Sequence, residues 1–133
     1  MHFDILFDTE RFNLSEVKAH FINPCCFGED LAIWLREKLL ANGAAAIEPG
    51  QEDWGWHFEA RLGDDAYFIG IGGAAEESPL HPNLGEWRIM IEKHRSLWEK
   101  LSGQNKTSFH DAIFNKIRGI IESESDFKNI RYE

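Results

Sequence analysis

The stretch WGWHFEARLGDDAYFIGIGG, residues 54–73, decides the fold class. In its first half, His57, Glu59 and Arg61 alternate with apolar side chains, which is typical of a strand that buries one face. The turn-forming run 63–65 follows, and a second alternating run then returns. The stretch therefore predicts an antiparallel hairpin. Its predicted buried face carries Trp54, Trp56, Phe58, Ala60, Leu62, Tyr67, Ile69 and Ile71.

Shorter runs on both sides of this hairpin predict the rest of the sheet. EWRIMIE, residues 86–92, alternates in the same way and predicts a further strand. HFDILF, residues 2–7, suits an edge strand, and FKNIRY, residues 127–132, predicts a short final strand. Residues 72–85 are rich in Gly, Pro and acidic side chains, so we expect a long loop within one sheet.

The first helix is predicted over Gly28–Ala41. Glu29 and Asp30 fall in its first turn, where negative charge favours the positive end of the helix dipole. Gly43 suits the left-handed position after the helix end. The apolar stripe that defines this helix is Leu31, Trp34, Leu35 and Leu39.

A second long helix is predicted over Ser108–Ser123, with Thr107 as its N-cap. Residues 95–101 predict a short helical turn that ends at Gly103. Residues 13–21 fit either a helix start with a capping box or a strand, and both alternatives stay open.

This order of elements predicts an α+β fold. Hairpin connections favour a largely antiparallel sheet, with two amphipathic helices packed on one face. The chain has 133 residues and contains no linker or repeat. We therefore expect a single α+β domain over residues 1–133.

Composition narrows the class of partner and the compartment. The formal net charge of −9 disfavours nucleic acid or an anionic membrane as the main partner, because binding to phosphates needs a basic surface. No long apolar run predicts a membrane span, and the acidic start of the chain does not resemble a secretion signal. Two adjacent cysteines, Cys25 and Cys26, do not form an ordinary disulfide framework, which favours a cytoplasmic location.

The cysteine pair is the first candidate for chemistry. Cys25 and Cys26 precede a predicted helix start, where a thiol can be activated, and His20 or His57 could supply a base. Nearby acids would instead raise the pKa of a thiol. We therefore expect both cysteines to pack as small apolar residues beside Phe27.

The segment EPGQEDWGWHFE, residues 48–59, is the second candidate. Trp54 and Trp56 share the parity of the predicted core, so packing explains both rings. Exposed tryptophan beside carboxylates could also bind a sugar, a cation or a protein side chain. The candidate binding residues are Glu52, Asp53, Trp54, Trp56, His57 and Glu59.

Metal and cofactor sites have little support in the sequence. His57 and Glu59 share one sheet face, which His81 or His94 could join, but no established metal-binding spacing is present. The run GIGG, residues 70–73, lacks the spacing and the following helix of a phosphate-binding loop. We predict neither a metal nor a cofactor.

Two motifs carry a family resemblance. FINPCCFGEDLAIWL, residues 21–35, and EPGQEDWGW, residues 48–56, resemble those of a group of small bacterial proteins that has no assigned activity. In composition, the chain also resembles more loosely the immunity proteins of bacterial toxin systems.

The sequence thus predicts a non-enzymatic binding protein, immunity-like, that inhibits a basic protein partner. Its expected contacts are Glu52, Asp53, Glu59, Glu76 and Glu77. The alternative is a small-molecule-binding module or enzyme, with a pocket between Trp54, Trp56, His57 and the cysteine loop. A homodimer built through an apolar sheet edge is compatible with either function.

Overall fold

A computed structural model describes residues 2–133 of the chain. The fold is α+β, as predicted, with a seven-stranded antiparallel sheet. The elements, in chain order, are β1 (Phe3–Thr9), α1 (Glu29–Ala41), β2 (Ala45–Ala46), β3 (Gly50–Glu52), β4 (Gly55–Leu62), β5 (Asp65–Ala75), β6 (Gly85–Lys93), α2 (Leu97–Ser102), α3 (Ala112–Glu122) and β7 (Lys128–Tyr132).

The strands lie in the order β2-β4-β5-β6-β1-β7, and β3 pairs separately with the start of β4. The predicted hairpin is confirmed as β4 and β5, which pair Phe58 with Ile69 and Ala60 with Tyr67. The prediction of an edge position for residues 2–7 is wrong. β1 lies between β6 and β7, because the C-terminal strand covers its outer side.

The core lies on one face of the sheet, under α1 and α3. Apolar side chains of the central strands, including Phe7, Phe58 and Trp87, are fully buried there. The helices contribute to the same cluster through Leu31, Leu35, Leu39, Ile113, Phe114, Ile117 and Ile121. The opposite face, which we call the open face, carries the alternate residues of these strands.

The first helix matches its prediction to within one residue, whereas the second begins later than predicted. α3 starts at Ala112, and Thr107 does not cap it. The hydroxyl of Thr107 instead accepts a hydrogen bond from the backbone N–H of Lys93, and Asp111 accepts one from Ser108. These contacts fold residues 107–111 against β6 before the helix begins.

Residues 13–21 form neither of the alternatives, helix or strand. The Asn13 side chain accepts hydrogen bonds from the backbone N–H groups of Ser15 and Glu16, which closes a local turn. The predicted long loop is shorter than expected, because β5 continues to Ala75. Within residues 2–133, no helix is long and apolar enough to cross a membrane.

Candidate functional site

The two sequence motifs form one structural unit. Gln51 of β3 accepts hydrogen bonds from the N–H groups of Ile22 and Asn23, at 2.6 and 3.0 Å, and donates to the carbonyls of Asn23 and Cys26. The indole N–H of Trp56 also donates to the Cys26 carbonyl, at 2.9 Å. The loop over residues 22–26 is therefore fastened to the β3–β4 hairpin by side chains.

No sequence pattern indicates the role of Gln51, because its hydrogen bonds are to backbone groups of a distant loop. Replacing Gln51 with Ala removes all four of its hydrogen bonds to the loop, and we expect a loss of about 2–4 kcal/mol in unfolding free energy, at roughly 0.5–1 kcal/mol for each bond. Denaturant unfolding of the variant measures this loss. Gln51→Glu keeps the acceptor oxygen but sets a second acceptor against the carbonyls of Asn23 and Cys26, so we expect it to be destabilised as well. A loss below about 0.5 kcal/mol in Gln51→Ala would contradict the role of the side chain.

The prediction of two packed thiols beside Phe27 is wrong. Cys25 and Cys26 are joined by a disulfide between neighbours in the sequence, and Cys25 is exposed while Cys26 is buried. Both sulfurs lie near the backbone carbonyl of Asp53. Since the two cysteines are bonded to each other, neither has a free thiol that could act as a nucleophile. The cysteine pair therefore no longer supports the prediction of a reducing compartment.

Trp54 departs from the predicted alternation. It belongs to the turn between β3 and β4, where Glu52 pairs with Gly55. Its side chain therefore does not follow the alternation of the two faces along β4. The end of its ring lies on the open face, above Gly70, and its centroid is 6.0 Å from that of Phe68. Trp54 is 44% exposed, whereas Trp56 is buried in the core.

Trp54 forms one wall of a groove of about 490 Å³ on the open face. The floor of the groove is a strip of β5 without large side chains, and a Cβ atom at Gly72 would meet only the Trp54 carbonyl, at 3.8 Å. Arg88 forms a salt bridge with Asp4, so its charge is compensated. The complete lining is Trp54, Phe68, Gly72, Gly73, Ala74, Glu86, Arg88 and Met90.

Of the predicted binding residues, Trp54 alone lines this groove. Glu52 and Asp53 are exposed in the turn that carries Trp54. His57 stacks on Phe68, with ring centroids 5.4 Å apart. Its buried Nδ1 atom lies 3.3 Å from a carboxylate oxygen of Glu52, close enough for an ion pair but without hydrogen-bond geometry. Glu59 is half-buried on the same face.

Of the residues considered for a metal, Glu59 forms a salt bridge with His94. His81 pairs instead with Glu10, at 2.8 Å. Over the described part of the chain, no group of three or more His, Cys, Asp or Glu side chains could hold a metal ion.

The chain matches no protein-family model, no curated protein and no solved structure. The family resemblance of the two motifs therefore rests on their residues alone.

Proposed function

We propose that the chain is a non-enzymatic binding protein that holds a basic protein partner against the groove beside Trp54. This role is that of an immunity-like inhibitor. One observation carries the proposal: a half-exposed tryptophan lies across a strip of sheet that has no large side chains, next to exposed carboxylates.

The groove suits an arginine side chain of the partner. The faces of Trp54 and Phe68 can each attract a guanidinium group, and the bare floor at Gly72 lets a flat group approach the sheet. The volume of about 490 Å³ lies within the usual range for small binding sites. It therefore has room for one or two side chains of a partner.

Charge supports the same class of partner. Asp53 lies in the turn that carries Trp54, and Glu76 and Glu77 directly follow β5, whose Ala74 lines the groove. Within residues 2–133, no salt bridge engages any of these carboxylates. Carboxylates without a cationic neighbour steer a basic partner towards the groove.

The alternative, a pocket between Trp54, Trp56, His57 and the cysteine loop, has less support. Trp54 and Trp56 lie on opposite faces of the sheet, so their rings do not line one space. The ring of Trp56 packs in the core, and its indole N–H donates a hydrogen bond to the Cys26 carbonyl.

Binding of an oligo-arginine peptide tests the groove directly. We expect Trp54→Ala to weaken binding at least about fivefold, since a cation–π contact contributes about 1 kcal/mol or more. Gly72→Ala should weaken binding as well, because its Cβ enters the floor of the groove and meets only the Trp54 carbonyl, at 3.8 Å. Isothermal titration calorimetry gives both affinities.

The matched control is Ala66→Val, which adds bulk on the same face of β5 but outside the groove lining. It should bind the peptide like the natural chain. Equal affinities for all four proteins would remove the groove from the proposal.

Charge neutralisation gives a second test. We expect the double variant Glu52→Gln/Asp53→Asn to associate with the peptide more slowly at about 0.1 M salt, and no differently at about 1 M, where charges are screened beyond ~3 Å. Stopped-flow fluorescence measures the rates. The fold should persist, because the cysteine sulfurs contact the Asp53 carbonyl, which the substitution leaves in place. Association that is independent of salt and of the substitutions would contradict electrostatic steering.

A further inference from the structure

The short helix α2 exposes a cluster of large apolar side chains. Leu97, Trp98 and Leu101 are 73, 72 and 74% exposed, and no residue of α2 is buried. Single exposed apolar residues are normal on a protein surface, but three on one helix of six residues mark a contact surface.

The helix is held in place without help from the core. Ser96 and Glu99 form a capping box at its start, with the Ser96 hydroxyl accepting from the Glu99 N–H at 3.1 Å. Gly103 ends the helix in the left-handed conformation. The exposed apolar side chains of α2 therefore do not contribute to the core, and core packing does not explain their positions.

Unpaired cations surround this helix, in a chain that is acidic as a whole. Arg95, Lys100 and Lys106 line a recess of about 330 Å³ beside α2. Among residues 2–133, no salt bridge involves any of the three, whereas buried Lys93 in the same recess is neutralised by Asp111 at 2.8 Å. Two carboxylates oppose these cations: Glu92 lines the recess, and Glu99 lies in α2 itself. Three cations against two carboxylates leave a small positive local charge, opposite in sign to the net charge of −9.

We infer that α2 docks on the surface of an anionic lipid bilayer. Trp98, Leu97 and Leu101 enter the boundary between headgroups and acyl chains, and the surrounding cations contact lipid phosphates. Tryptophan and leucine beside Lys and Arg are the side chains of interfacial segments. The net charge of −9 disfavours an anionic membrane as the main partner, but screening limits the reach of distant carboxylates to ~8–10 Å, so the contact is confined to α2 and its surroundings.

The charge of the surface favours lipid over the other occupants. A second copy of the chain, related by two-fold symmetry, would bring like-charged Lys100 and Lys106 side chains together. The surface is distinct from the Trp54 groove, so the inference does not depend on the proposed function.

Sedimentation with lipid vesicles tests the inference. We expect the chain to bind vesicles of equal parts phosphatidylglycerol and phosphatidylcholine at least about 25-fold more tightly than pure phosphatidylcholine, at roughly fivefold for each of Lys100 and Lys106. Lys100→Glu/Lys106→Glu should lower binding to the anionic vesicles by about 25-fold or more. Trp98→Ala/Leu101→Ala should lower it to both kinds of vesicle.

Two controls keep the result specific. Leu80→Ala removes an 86% exposed leucine elsewhere on the chain and should bind vesicles like the natural protein. Trp54→Ala should also bind them unchanged, which separates this inference from the proposed function. Circular dichroism melting checks that each variant is folded.

Several results would overturn the inference. They are the absence of vesicle binding, equal binding to both lipid compositions, or binding that the charge reversal leaves unchanged. Binding to poly-L-glutamate without binding to anionic vesicles would assign the surface to an acidic protein instead.

Discussion

Replacing Trp56 with Ala is expected to lower the free energy of unfolding by about 3–5 kcal/mol, the usual cost of truncating a buried aromatic side chain. Trp56 packs edge-on against Phe21, with ring centroids 5.4 Å apart, and closes the core beneath Gly28. The substitution also removes the hydrogen bond to the Cys26 carbonyl. Urea unfolding, followed by circular dichroism, measures the loss.

Trp54→Ala is the matched control, two positions away in the same motif. Because Trp54 is 44% exposed on the open face, its removal should cost roughly 1 kcal/mol or less. Equal losses for the two variants would mean that Trp54 belongs to the core after all. Comparing the two variants distinguishes Trp56, which stabilises the fold, from Trp54, which we propose contacts the partner.

Replacing Lys93 with Met is expected to cost a similar amount, about 3–5 kcal/mol, because it leaves a carboxylate with little solvent and no cation. The Lys93 ammonium group is nearly buried, 2.8 Å from Asp111 and 3.0 Å from the side-chain oxygen of Asn105. Burial, together with the carboxylates of Asp111 and Asp65, raises the pKa of nearby Tyr67, which is consistent with a site of little solvent and negative charge. Thermal and urea unfolding give the change in stability.

The double variant Lys93→Met/Asp111→Asn provides the control. Asparagine removes the stranded charge but keeps an oxygen that can accept the Ser108 N–H. We expect the double variant to be more stable than Lys93→Met by roughly 1 kcal/mol or more. If the two substitutions instead destabilise additively, the ion pair is not the reason for the loss.

Periodicity predicted those parts of the fold that local sequence controls. β4 and β5 followed from strict alternation around a Gly-Asp turn, and α1 followed from its apolar stripe and acidic first turn. The position of β1 inside the sheet was not predictable in this way, because it depends on pairing with β7 from the far end of the chain. Pairing between distant strands leaves no periodic signal in either strand.

The candidate site shows the same limit at the level of single residues. Trp54 follows the parity of β4 in the sequence, but the three-residue strand β3 pairs with Gly55 and makes Trp54 part of a turn. Gln51 acts through hydrogen bonds to backbone groups of a distant loop, which no spacing reveals. Thr107 has a hydroxyl that could cap a helix, but this hydroxyl instead accepts a hydrogen bond from the backbone N–H of Lys93 at the end of β6.

The proposed binding of a cationic side chain in the groove beside Trp54 is tested most directly by NMR. The ¹⁵N-labelled chain is titrated with Nα-acetyl-arginine amide and, for comparison, with the uncharged citrulline analogue of nearly equal shape. We expect arginine amide to shift the indole N–H of Trp54 and the backbone amides of Gly70 and Gly72, and the citrulline analogue to shift them far less. Equal shifts with both compounds, or shifts confined to residues away from the groove, would contradict it.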